Sequence, residues 1–211
     1  ILAMTFTNKA AREMRERVAG LVGRKKAAGI TISTFHSFCL AVLRKHIDKI
    51  GLRRNFTISS EGDVRTLVQR VLDDIDGPQE SFSPALFLEQ ISSCKNSDGA
   101  PEKHRKPAHS SDNVQRYVEW LPEVYERYQS ALRAANTLDF DDLLLLTLRL
   151  WREAPDVLEA YQTQYRYVMV DEYQDTNQVQ YQLLRHLVRR HENLCVVGDD
   201  DQSIYAWRGA D

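Results

Sequence analysis

Residues 167–170, Tyr-Val-Met-Val, form a short apolar run that stops abruptly at two adjacent acids, Asp171-Glu172. The run is too brief for a helix and rich enough in β-branched residues to read as a buried strand. Three more stretches share its form: residues 1–5, 30–34 and 194–197. Each also gives way at its carboxyl end to polar residues or glycine, in Thr5-Phe6-Thr7-Asn8, Thr34-Phe35-His36-Ser37 and Gly198-Asp199-Asp200-Asp201. Helical patterns separate the strands. Asn8 is a suitable N-cap for residues 9–19, and Thr176 or Asn177 can begin residues 178–190. Alternation of this kind predicts an α/β fold with a parallel sheet, whose ligands gather at the carboxyl ends of the strands. The four polar clusters should therefore meet on one rim.

Between residues 61 and 135 the alternation breaks. Helical patterns at 63–75, 84–93 and 114–135 are joined by a polar stretch, 95–113, that carries Lys95, Lys103, Arg105 and Lys106 without apolar periodicity and reads as a mobile loop. The expected organisation is a sheet domain in two parts, 1–60 and 136–211, interrupted by an all-helical subdomain at 61–135.

Composition narrows the classes. No run of about 18 apolar residues exists, so a membrane span is not expected. Cys39, Cys94 and Cys195 show no metal-ligand spacing and no disulfide framework, which suits a reducing, cytoplasmic setting. Cys39 and Cys195 sit among apolar neighbours and read as core. The net charge of −2 conceals an asymmetry: residues 1–60 hold 12 Lys and Arg against three Asp and Glu, and the remainder 16 against 27. A basic surface for a polyanion beside an acidic surface for a metal–nucleotide fits this division, as does a solvated basic helix. The opening run lacks any preceding turn or cap, and the chain reads as a segment of a longer protein.

An Asp at a strand end holds Mg²⁺ on nucleotide phosphates in phosphate-loop NTPases, and an adjacent carboxylate can take a proton from an attacking water. Asp171 and Glu172 are suited to those tasks, although two acids also favour a helix N-terminus. Gly198 is followed by three Asp, then the neutral amide of Gln202, then Tyr205, Trp207 and Arg208. Aromatics beside an arginine make a stacking platform for unpaired bases. Phe6 fits either a stacking role or a core position. Thr7, Asn8, Thr34 and His36 bring side chains suited to backbone phosphates to strand–helix junctions. Leu138-Asp139-Phe140-Asp141-Asp142, read without context, is an acidic helix start.

In order along the chain, TFTNKAAREMRERV, TFHSF, LDFDDLLLL, VDEYQDTN and VGDDDQSIYAWRGA resemble the motifs of the UvrD/Rep/PcrA helicases, with wording that leans toward Rep. The resemblance implies a RecA-like sheet domain with an inserted helical subdomain, 1B, in an ATP- and Mg²⁺-dependent motor that moves 3′ to 5′ on single-stranded DNA and meets duplex junctions. By that resemblance Asp171 binds Mg²⁺, Glu172 positions and deprotonates water, and Gln202 senses the γ-phosphate. Phe6, Tyr205 and Trp207 stack on bases, Thr7, Asn8, Thr34, His36 and Arg208 hold phosphate or sugar, and Phe140 touches the strand. A bacterial, nucleoid-associated location follows.

The chain has no G-x-x-x-x-G-K-[ST] phosphate loop. In the family that loop lies upstream of the opening strand, so the segment alone is expected to be inactive, with residues 194–197 left as an exposed edge through which copies could associate. Two other readings compete: the motor portion of a RecB- or AddA-like helicase–nuclease, and a non-catalytic DNA-binding module, for which Asp171, Glu172 and Gln202 would have no use.

Overall fold

The computed structural model describes residues 1–75, 83–97, 112–199 and 201. Along the chain run β1 (Leu2–Thr5), α1 (Asn8–Val22), the short α2 (Arg24–Ala27), β2 (Thr31–Thr34), α3 (Phe35–His46), β3 (Thr57–Ile58), α4 (Glu61–Asp73), α5 (Pro84–Asn96), α6 (Asp112–Ala134), β4 (Thr137–Leu138), α7 (Phe140–Glu153), α8 (Pro155–Gln164), β5 (Val168–Val170), α9 (Gln178–Val188) and β6 (Leu194–Val196). The chain divides into two compact units, residues 1–54 with 146–211, and residues 55–145.

The first unit is built on a four-stranded sheet in the order β2-β1-β5-β6, with every pairing parallel. The four expected strands are all present. β1 is apolar on both faces and buried throughout, as an inner strand must be. Behind the sheet, Phe38 meets Trp151, Tyr161 and Tyr165 edge-on at 6.4, 5.8 and 5.9 Å between ring centroids, a geometry that matches the electron-poor edge of one ring to the electron-rich face of the next. β6 is the outermost strand on its side, with Leu194 and Val196 exposed. Cys195 is exposed with them and is not a core residue, because β6 has no neighbour beyond it among the described residues.

Side-chain caps fix where the helices begin. The cap of α1 is Thr7 rather than Asn8: Thr7 is extended, and its hydroxyl accepts the Ala10 amide at 3.1 Å, which leaves Asn8 as the first helical residue. Asn177 caps α9 in a reciprocal arrangement with Gln180. Ser60 and Asp63 do the same for α4, starting it two residues ahead of the apolar periodicity.

The second unit is mainly helical, with β3 and β4 as a small parallel pair. Its core joins Val68, Val71 and Leu72 of α4 to Phe87, Ile91 and Cys94 of α5 and to Leu121, Val124, Tyr128 and Leu132 of α6. The expected loop at 95–113 needs correction at its start. Lys95 lies in the last turn of α5 and is 1% exposed, held between Asp139 and Asp142. Residues 98–111 of that stretch lie outside the described residues. No helix among the described residues is long and apolar enough to cross a membrane.

Candidate functional site

Because β1, β2, β5 and β6 are parallel, their carboxyl ends share one edge of the sheet, and the chemistry-bearing residues of the first unit collect there. Thr5 ends β1 and leads into Phe6, Thr7 and Asn8. Thr34 ends β2, with His36 in the first turn of α3. Asp171 and Glu172 follow β5, and Val197 to Asp199 follow β6. The backbone ties these ends together: the Asp171 amide donates to the Met4 carbonyl at 3.0 Å, the Val197 amide to Val170 at 2.9 Å, and the Tyr173 amide to Val197 at 2.9 Å.

At Glu172 the backbone turns left-handed, with φ 54° and ψ 44°. An L-residue there carries a strain of roughly 1–2 kcal/mol, and strain of this kind clusters at active sites. The turn starts a 3-10 segment, Tyr173–Asp175. Gln174 then folds back: its Nε2 donates to Glu172 Oε2 at 2.7 Å, and its Oε1 accepts the Asp199 amide at 3.0 Å. Gly198 makes this possible, since a Cβ at that position would stand 2.6 Å from Gln174 Oε1 and 3.3 Å from the amide nitrogens of Tyr173 and Gln174. Sequence reasoning missed Gln174. A glutamine between two acids carries no signal of its own, and its role follows only from the left-handed turn.

The acids here lack cations. Neither Asp171, Glu172 nor Asp175 makes an ion pair among the described residues. Burial, and then the neighbouring charge of Glu172, push the Asp175 carboxyl above the ordinary range. Thr5 Oγ1, Asp175 Oδ1 and Thr176 Oγ1 are buried without any hydrogen-bond partner. An unmet buried polar atom costs about 1–3 kcal/mol, so three at or beyond the carboxyl ends of β1 and β5 call for a polar ligand or water.

A cation brought in with phosphates fits this donor set better than one held by protein alone. Mg²⁺ keeps several waters and takes one or two carboxylates beside substrate oxygens, and no group of three His, Cys, Asp or Glu poised for a metal exists among the described residues. Asp171 and Glu172 are the carboxylates in place to take part.

The remaining expected residues divide in three. Thr34 is 6% exposed and its hydroxyl is committed to capping α3, accepting the Ser37 amide at 3.1 Å and donating to Ser37 Oγ at 2.9 Å. Phe6 is half-buried against Phe35, 5.5 Å between centroids, while Thr7 and Asn8 are exposed and His36 is half-buried. Phe140 belongs to the second unit, at the start of α7, and is 58% exposed. Gln202, Tyr205, Trp207 and Arg208 lie outside the described residues.

A family profile described as the UvrD/REP helicase N-terminal domain matches residues 1–211. Proteins named ATP-dependent DNA helicase PcrA are similar along the whole chain: 48% identical over 210 residues in Leuconostoc citreum, 48% over 211 residues in Bacillus subtilis, and 46% over 211 residues in Staphylococcus aureus. The chain covers 100% of its own length in each match but only 27–28% of theirs.

Proposed function

The chain belongs to the UvrD/Rep helicase N-terminal domain family, and from that premise we propose that it supplies the hydrolytic acids and part of the strand track of an ATP-dependent DNA helicase moving 3′ to 5′. The observation that carries the reading is the pair Asp171-Glu172 at the carboxyl end of β5, without a cation among the described residues and beside the unmet buried oxygens of Thr5, Asp175 and Thr176. Magnesium, when bound with ATP, would neutralise charge on the phosphates, and Asp171 is the carboxylate placed to hold it. Glu172 would accept the proton of the attacking water at a carboxylate oxygen. Its hydrogen bond from Gln174 holds Oε2 in one direction and leaves Oε1 for the proton.

Gln202 would report the nucleotide's γ-phosphate. Phe6, Phe140, Tyr205 and Trp207 would stack on bases, and Thr7, Asn8, His36 and Arg208 would hold phosphate or sugar. Thr34 would act one step back, by setting the first turn of α3 that carries His36. The helical unit would serve as subdomain 1B of a RecA-like motor. Single-stranded DNA and duplex junctions in a bacterial cytoplasm are the partners this implies, and the exposed edge at β6 is where two copies of the isolated chain would meet. The similar proteins are named ATP-dependent DNA helicase PcrA, which favours this reading over a helicase–nuclease motor.

Glu172→Gln in the complete protein tests it. The amide keeps the shape and cannot accept a proton, so DNA-stimulated phosphate release should fall by about 100-fold or more while ATP and oligothymidylate still bind. Turnover within a few-fold of the unaltered protein would overturn the assignment of the base.

A further inference from the structure

The segment Asp139-Phe140-Asp141-Asp142 places three carboxylates around an aromatic at the start of α7, a composition that should repel a polyanion. The structure turns that charge inward. Asp139 is 8% and Asp142 2% exposed, and both receive Lys95 Nζ, at 2.5 and 2.7 Å. The Tyr128 hydroxyl donates to Asp139 Oδ2 at 2.8 Å, and Gln129 Nε2 to Asp142 Oδ1 at 3.2 Å. The two aspartates also cap the helix reciprocally: the Asp142 amide donates to Asp139 Oδ1 at 2.9 Å, and the Asp139 amide to Asp142 Oδ2 at 3.1 Å. Asp141 is half-buried and accepts from Asn96 Nδ2 at 3.0 Å. Lys95 and Asn96 are adjacent residues of α5, so one turn of that helix binds all three acids. Phe140, in their midst, is 58% exposed.

We propose that Lys95 is a positioning residue for strand binding: by holding Asp139 and Asp142 it fixes the first turn of α7, so that Phe140 is displayed with those two carboxylates turned inward, where a base of single-stranded DNA stacks. The proposal rests on the reading that Phe140 touches the strand. An aromatic on a frayed helix end would have to be ordered at the moment of binding, whereas one on a turn locked by an internal ion pair and two capping bonds has little left to lose. Lys95 serves this purpose because it stays charged. Burial alone would lower its ammonium, but the two carboxylates reverse the effect and hold it above the ordinary lysine range.

A double-mutant cycle in the complete protein, read as affinity for oligothymidylate, tests the proposal. Phe140→Ala should weaken binding by about fivefold or more, the worth of a stacked base. Lys95→Met should weaken it comparably, and adding Lys95→Met to Phe140→Ala should cost nothing further, because the lysine acts only through the ring. A merely structural lysine would give losses that multiply. Lys95→Met/Asp139→Asn is the second variant: it keeps the cluster's net charge and leaves asparagine, a good N-cap, to hold the Asp142 amide, while removing the tie to α5. It should behave as Lys95→Met does. If Phe140→Ala weakens binding and neither Lys95 variant does, or if the losses multiply, the positioning role fails and the strand contact stands. If Phe140→Ala leaves affinity unchanged, the strand contact itself fails and the proposal goes with it. If thermal melting shows both Lys95 variants unfolded at the assay temperature, the lysine is a stability element and the proposal is overturned.

Discussion

Two acidic runs, Asp139-Phe140-Asp141-Asp142 and Asp171-Glu172 with Asp175, look alike as sequence and differ in how the structure meets their charge. In the helical unit the chain supplies its own counter-charge: Lys95 is buried between Asp139 and Asp142, Tyr128 and Gln129 share the oxygens it touches, the other oxygens of the two acids take backbone amides, and Asp141 takes Asn96. In the sheet unit the described residues supply none to Asp171, Glu172 or Asp175. Asp171 and Glu172 stand at the end of a strand with a single side-chain bond, from Gln174, and buried oxygens nearby are unmet. An acid cluster closed by an internal cation has finished its electrostatic work on folding. One left open retains it for a ligand.

Removing charge from each cluster should break or sharpen that contrast. Lys95→Met leaves two buried carboxylates without a cation and should destabilise the helical unit by about 3–5 kcal/mol, the usual penalty for breaking a buried pair. Asp171→Asn removes a charge that no cation among the described residues balances and should change stability by no more than about 0.5 kcal/mol. Chemical denaturation of both variants decides the point, and similar losses for the two would erase the distinction. An effect between these two is expected at Gly198→Ala. The new methyl group must push Gln174 from its bonds to Glu172 and the Asp199 amide and crowd two backbone nitrogens, at about 1–3 kcal/mol. Because Glu172 then loses its orienting amide, turnover in the complete protein should fall by about tenfold while thermal stability drops only modestly. Unchanged turnover would show that Gln174 does not orient Glu172.

The sheet was legible because each strand writes its own signal, an apolar run that stops at polar residues, and because alternation with helices permits little but a parallel order. The Asn177 cap was legible for the same local reason, whereas Thr7 and Asn8 are both good caps and only the backbone angles of Thr7 separate them. Lys95 could not be read. In a polar stretch it looks like a loop residue, and the partners that bury it lie 44 and 47 positions away in sequence. Cys195 failed for the opposite reason: an apolar run signals a strand, but whether that strand has one neighbour or two is a property of the assembled sheet. Of the candidate site, the residue types at the rim were visible in advance, and the left-handed turn at Glu172 that links them through Gln174 was not.

A further, pH-dependent effect lies at the margin of the closed cluster. Asp141 receives a hydrogen bond from Asn96 but makes no ion pair, and burial, aided by the charge of Asp139, raises its carboxyl above the ordinary range. A carboxyl raised in the folded state binds its proton more tightly there than in the unfolded chain. Its ionised form therefore costs stability above the folded value, and that cost is relieved as pH falls through the folded value toward the unfolded one. Asp141→Asn keeps the oxygen that accepts from Asn96 and removes the charge. It should stabilise the helical unit at neutral pH by on the order of 1 kcal/mol, and the gain should fade on acidification as the native carboxyl takes up its proton. Melting curves of the two proteins between mildly acidic and neutral pH supply the measurement. If Asp141→Asn is instead destabilising at neutral pH, with the gap narrowing in acid, the Asp141 carboxylate is held favourably in its ionised form. Lys95 would then neutralise all three acids rather than the two it touches, and the closed cluster would extend one residue further than its contacts indicate.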